Sequence, residues 1–208
     1  MPNIEFFFEF ASTYSYPCAM RIETVAAQKD VEIVWRPFLL GPIFKAQTGV
    51  ADSVFNIHPE KGAYMWRDVK RICEGLDLPF TRPDQFPQNG LRAARIACVL
   101  LDDDQAMAVD FIKAVYRTNF SENTSISDET TLAGLITEIG GDADEIMRLS
   151  ASQEAKNALK INTDMAVARN VFGAPTFFTP DGEMFWGNDR LEEALDWARP
   201  HAVAQAGI

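Results

Sequence analysis

Residues Asn3-Ile4-Glu5-Phe6-Phe7-Phe8-Glu9-Phe10-Ala11-Ser12-Thr13-Tyr14-Ser15-Tyr16-Pro17, with Val31-Glu32-Ile33-Val34-Trp35-Arg36 further on, decide the fold. Residues 3–10 are short, aromatic and partly alternating, which reads as a buried strand. Residues 14–29 carry Met20, Ile22, Val25 and Ala26 at helical spacing, and residues 31–36 alternate as a second strand. The order is β-α-β. A crossover of this length joins two parallel strands, because a tight turn can join only antiparallel ones.

Outward from this unit the pattern changes. Residues 37–62 hold Pro37, Gly41, Pro42, Gly49, Pro59 and Gly62 with little periodicity and read as a long loop, a kind of segment that usually serves function. Helical patterns then fill 62–76, 88–101, 104–118, 128–139, 142–149 and 151–171. Ser125 to Glu129 carries capping and acidic residues ahead of one apolar run, and Gly140-Gly141 closes it. Residues 175–187 read as a hairpin turning at Pro180-Asp181-Gly182, and 190–199 as a closing amphipathic helix. The sum, β-α-β then helices then β-β-α, is an α/β chain with the element order of a thioredoxin-like fold carrying a large all-helical insertion. Residues 1–40 and 172–208 are expected to form the discontinuous thioredoxin-like part, and 41–171 the loop plus helical insertion.

Composition narrows the function. The 208 residues include 19 Lys and Arg against 30 Asp and Glu, a net charge of −11, so nucleic acid is disfavoured as a partner. A 47 % hydrophobic and 24 % charged composition is globular, which excludes disorder over most of the chain. No apolar run nears the ~20 residues of a membrane span. Cys18, Cys73 and Cys98 are odd in number and widely spaced, which fits reduced thiols, and with no basic leader ahead of the first strand the cytoplasm is the expected compartment. Those cysteines and two separated histidines, His58 and His201, give no metal-ligand spacing. His58 in its loop and the Asp102-Asp103-Asp104 run read as solvated surface.

Three segments could carry chemistry. Phe10 to Pro17 lies where strand one ends and helix one begins. Ligands of open α/β sheets bind at the carboxyl ends of strands, and a helix N-terminus favours an anion such as a thiolate. Ser12 adds a hydroxyl there, though the same residue also fits a plain N-cap worth about 1 kcal/mol. Phe172-Gly173-Ala174-Pro175-Thr176 suggests a cis prolyl bond ahead of a strand, leaving Ala174 main-chain groups for a peptide-like ligand, or simply a rigid strand entry. Phe185 to Glu192 pairs Asp189 with Glu192 as a cap for the last helix, while Asn188 and Asp189 could also accept from an ammonium group.

Together these segments, with Lys61 to Asp68 and Phe86-Pro87-Gln88-Asn89, resemble the 2-hydroxychromene-2-carboxylate isomerases and kappa-class glutathione transferases of the DsbA-like thioredoxin superfamily. Disulfide oxidoreductases of that fold have C-x-x-C where this chain has Ser12-Thr13-Tyr14-Ser15. Thiol–disulfide exchange needs a thiolate attacker, so that activity is not expected. The resemblance implies glutathione as cofactor, an aromatic small-molecule substrate, and a homodimer. It implies Ser12 as the hydrogen-bond partner of the glutathione sulfur. Ala174 and Pro175 would clamp the cysteinyl part, and Gly187, Asn188, Asp189 and Arg190 would meet the γ-glutamyl end. Lys45, Asn56 and Phe86 would contact substrate. Thr13 stands where the family usually has proline and would leave a second hydroxyl near the sulfur. Three functions remain open on sequence: an isomerase that recycles glutathione, a transferase that consumes it, and a non-catalytic binder of thiol peptides or a protein partner.

Overall fold

The computed structural model describes residues 1–49 and 52–205, with side chains described as far as Arg199 except those of Thr48 and Val54. Expectations for residues 206–208 and for the His201 side chain lie outside it. Four strands, β1 (Asn3–Phe8), β2 (Glu32–Pro37), β3 (Thr176–Phe178) and β4 (Met184–Trp186), form one sheet in the order β2-β1-β3-β4. β1 and β2 are parallel across α1 (Ser15–Gln28), as a crossover helix requires, and β3 joins β1 antiparallel. Strands from the two ends of the sequence therefore share one sheet, and Phe6 stands opposite both Trp35 and Phe177.

Alternation along β1 explains its two cores. Phe6 and Phe8 face the larger cluster with Trp35, Phe177, Tyr16 and Tyr116, and Phe6 stacks on Phe177 at 5.5 Å between centroids. Phe7 points the other way, among Phe38, Phe178, Leu40 and Ile43. Each fully buried phenylalanine contributes about 1.5–3 kcal/mol, so a strand buried on both faces is strongly held.

Between β2 and β3 run α2 (Leu40–Thr48), α3 (Val54–Ile57), α4 (Pro59–Gly75), α5 (Leu91–Asp103), α6 (Gln105–Phe120), α7 (Glu129–Glu138), α8 (Ala143–Ser150) and α9 (Gln153–Ala168); α10 (Leu191–Gln205) closes the chain. Side-chain caps set several starts: Asp104 accepts from Ala106 and Met107 N–H, Asp128 from Thr131, Asp142 from Glu145 and Ser152 from Ala155. The acidic 102–104 run thus ends α5 and caps α6. The expected loop over 37–62 is instead largely helical. Pro42 falls in the first turn of α2, where a missing N–H costs nothing, and Leu40 and Ile43 bury against Phe7. Strand one is shorter than expected and stops at Phe8, since Glu9 to Tyr14 turns toward α1.

α6 locks that turn. Tyr116 donates to the Glu9 carbonyl at 3.0 Å and Asn119 Nδ2 to the Phe10 carbonyl at 3.1 Å. Gln88 Nε2 donates to Asn119 Oδ1, and Gln88 Oε1 accepts from Ile126 N–H. The inserted helices thus fix the main chain just before Ser12.

Candidate functional site

Ser12 lies in the turn between β1 and α1. Its N–H donates to the Glu9 carbonyl at 2.9 Å, its Oγ accepts from Ser15 N–H at 3.3 Å, and its hydroxyl donates to the Ala174 carbonyl at 2.8 Å. That last bond joins segments from opposite ends of the chain. The Ala174–Pro175 bond is cis. The N–H groups of Thr13, Tyr14 and Ala174 make no hydrogen bond among the described residues. A cavity of about 440 Å³ is lined by Ser12, Thr13, Tyr14, Gly173 and Ala174. Its wall also carries the apolar side chains of Leu39, Leu40, Phe44, Phe55, Phe86 and Leu91. Free amides at a helix start are an anion-binding arrangement, and the apolar wall fits an aromatic body.

A family model described as a DSBA-like thioredoxin domain matches residues 3–196. The chain belongs to this family. Among curated relatives of the DSBA-like chain, 2-hydroxychromene-2-carboxylate isomerase of Sphingobium xenophagum is 29 % identical over 190 residues, covering 91 % of this chain and 94 % of the relative. Glutathione S-transferase kappa 2 of Caenorhabditis elegans is 27 % identical over 217 residues, covering 95 % and 93 %. A solved 2-hydroxychromene-2-carboxylate isomerase superposes with a TM-score of 0.83 at 26 % identity, covering 98 % of this chain and 97 % of that one. The fold is therefore the DsbA-like thioredoxin fold with its helical insertion.

The structure brings some of the expected residues of this DSBA-like chain together and leaves others apart. Ser12, Ala174 and Phe86 line the cavity. Pro175 and Gly187 sit behind Ala174, with Gly187 N–H on the Pro175 carbonyl at 2.9 Å. Gly187 has φ +113°, and a Cβ there would stand 2.5 Å from Asp189 Oδ1, so glycine is required. Asn188 is buried and held by Arg21: Nε donates to its Oδ1 at 3.1 Å and Nη2 to its carbonyl at 2.6 Å. Arg21 also pairs with Glu192, so Glu192 does not form the expected cap with Asp189. The Asp189 carboxylate is 76 % exposed and close enough to Tyr14 to raise the phenol's pKa, after desolvation and the Asp68 carboxylate that accepts its hydroxyl at 3.0 Å. Arg190 pairs with Glu193 on the surface.

Lys45 is exposed on α2 and lies outside the cavity lining. Asn56 is also outside it, but its Nδ2 donates to Asp52 Oδ1 and to the Phe86 carbonyl, tying two lining residues together. Thr13 is 2 % exposed and gives its hydroxyl to Met65 Sδ at 3.2 Å, so the second hydroxyl expected near the sulfur is turned into the core. All three cysteines are buried free thiols, and burial pushes each thiol's pKa up, which makes them poor nucleophiles.

Sequence reading missed two features. Glu9, taken as strand, lines the cavity beside Ser12. Phe172 and Trp186, 43 % and 51 % exposed, meet edge-on at 4.9 Å and both line the cavity, with the Trp186 ring over Gly173. For Phe172 and Trp186 the readable sign was an aromatic in each of two segments singled out for chemistry. For Glu9 the available sign was a carboxyl three residues before Ser12 at a strand end.

Proposed function

We propose that this protein is a glutathione-dependent isomerase interconverting 2-hydroxychromene-2-carboxylate and trans-o-hydroxybenzylidenepyruvate, or a related product of aromatic degradation. The observation that supports it is a set of unpaired amides around Ser12 in a cavity that no cysteine lines. The site has what a bound thiolate needs and supplies none itself. The relatives' activities point the same way.

When bound, glutathione supplies a thiolate whose reversible addition turns the substrate's C=C bond into one that can rotate. The chain's own residues bind and orient. The Ser12 hydroxyl re-aims from the Ala174 carbonyl to the sulfur, and with the Thr13 and Tyr14 amides it favours the charged thiolate over the thiol. Released from Ser12, the Ala174 carbonyl joins its own N–H as a main-chain edge for the cysteinyl amide. The exposed Asp189 carboxylate, near Tyr14, takes the γ-glutamyl ammonium, and Asn188, Gly187 and Arg190 hold that corner in place. Phe86 stacks on the aryl part of the substrate, Asn56 holds Phe86, and Lys45 meets the substrate carboxylate at the rim.

Replacing Ser12 by alanine is expected to raise the pKa of the bound thiol and to lower kcat about 100-fold. Ultraviolet titration of the thiolate, alongside turnover, checks this; unchanged values in both would remove Ser12 from the mechanism. A kappa-like transferase is the second reading, favoured by relatives of that kind at similar identity. It differs in stoichiometry, since a transferase depletes free glutathione and an isomerase does not.

A further inference from the structure

Glu9 follows the last residue of β1 and lines the cavity with Ser12. Its main chain is fixed from two sides, because its carbonyl accepts from Ser12 N–H at 2.9 Å and from the Tyr116 hydroxyl at 3.0 Å. Its Oε2 accepts from Ala11 N–H at 3.1 Å. Its Oε1 has no protein donor among the described residues. Gly90 lies alongside: a Cβ there would stand 3.6 Å from Oε1, and the closer contact, 2.9 Å, is with Phe10 Cβ. One anchored and one open oxygen on a fixed main chain is the arrangement of a group that exchanges a proton with a ligand.

Among the described residues no cation lines the cavity or bears on this carboxyl. α6 presents Tyr116, whose phenol is pushed far above its usual pKa by burial, and α1 begins with uncharged residues. The segment before α5 presents Gln88 and Asn89. Among the described residues the other acid in the lining is Asp52, ahead of α3, with its Oδ1 engaged by Ser53 N–H and Asn56. Desolvation therefore dominates and carries the Glu9 carboxyl from its ordinary 4.5 to about 8, against the bond from Ala11. At neutral pH it keeps its proton.

We propose that Glu9 is a catalytic acid and base for the carbonyl oxygen of an α,β-unsaturated carbonyl substrate, a role that rests on the thiol-dependent reading above. As the C–S bond forms at the β-carbon, the C=C pair shifts to a double bond between the α-carbon and the carbonyl carbon, the C=O π pair moves onto oxygen, and that oxygen takes the Glu9 proton to give an enol. After rotation about the resulting single bond the ionised Glu9 takes the proton back, the C=C and C=O bonds re-form, and the C–S bond breaks. The proton count returns to its start, and the thiol's own proton has left to solvent on binding.

The test compares wild-type protein with Glu9→Gln by three measurements: infrared difference titration of side-chain carboxyls without ligand, calorimetric glutathione binding, and turnover of 2-hydroxychromene-2-carboxylate against pH. A carboxyl titrating near 8 is expected in the wild type and not in the variant. Glutathione affinity should be unchanged while kcat falls at least about 100-fold, and the wild-type decline in kcat through that pH should vanish from the residual activity. A variant with full kcat, or a Glu9 already ionised at neutral pH in an active wild type, overturns the proposal and leaves the thiol site standing. A wild type that binds no glutathione overturns the site reading itself, and this role with it. Should Glu9→Gln fail to fold, Glu9→Asp replaces it: a shortened carboxyl is expected to lose kcat yet keep the alkaline decline, and an unchanged kcat again overturns the assignment.

Discussion

Around Ser12 the cavity-lining groups that can meet a ligand are mostly main chain: the Thr13, Tyr14 and Ala174 amides and the Ala174 carbonyl, with one hydroxyl among them. The lining from α2, α3 and the segment ahead of α5 consists of side chains. The first set is fixed by the sheet, because β1 and β3 pair directly and position Ser12 against Ala174. The second depends on how short helices pack on one another. Chemistry that any thiol-binding relative needs can sit on the sheet-fixed set, while substrate choice can vary in the helical set.

The largest effect expected from this contrast lies in the sheet-fixed set. Glu9 is a carboxyl at the sheet end whose pKa is raised to about 8 in the folded chain and is ordinary in the unfolded one. Between its ordinary 4.5 and 8 the unfolded state gives up a proton that the folded state keeps, so stability falls as pH rises through this window. Below it there is no penalty. Glu9→Gln removes the dependence. Urea unfolding should show little difference between variant and wild type at pH 4.5, and an advantage to the variant growing to a few kcal/mol at pH 8. Equal advantages at both pH values would mean that Glu9 titrates normally.

A middle-sized effect tests the helical set. A Cβ on Gly62 in α4 would lie 2.3 Å from the carbonyl oxygen of Phe55 in α3. Main chain cannot swing aside like a side chain, so Gly62→Ala must push α3 away at a cost of about 1–3 kcal/mol. Phe55 and its neighbour Ser53 belong to the cavity wall. Substrate KM should rise while glutathione affinity holds. A matching loss of glutathione affinity would show that the two sets are mechanically coupled.

The same contrast separates what was legible in the sequence from what was not. β1, its crossover helix and the Ser12 turn could be read because alternation, helical spacing and the strand–helix boundary are local signals, and a parallel pair follows from them by topology. Residues 37–62 could not. Their Gly and Pro residues look like loop punctuation, yet Pro42 falls in a helix's first turn and Gly62 serves a close helix contact. The Thr13 hydroxyl was misplaced for a related reason. Its direction is set by Met65, distant in sequence, and no local pattern encodes that contact. Glu9 read as part of a strand because burial of a carboxyl is a tertiary property.

The smallest effect concerns one wall residue. Phe86 packs edge-on to Trp66 at 4.8 Å and its carbonyl accepts from Asn56, so its ring is held from behind by α4 and its main chain by α3. Phe86→Ala leaves that support in place and removes only the aromatic surface offered to a substrate. The loss of an aromatic contact of roughly 0.5–1.5 kcal/mol, with some apolar burial, predicts a KM raised about tenfold for the chromene substrate. kcat should change little, because a wall contact made equally in ground and transition states affects binding alone. A kcat loss with unchanged KM would place the Phe86 ring against the reacting bond instead, and would give the helical set a share in the chemistry as well as in recognition.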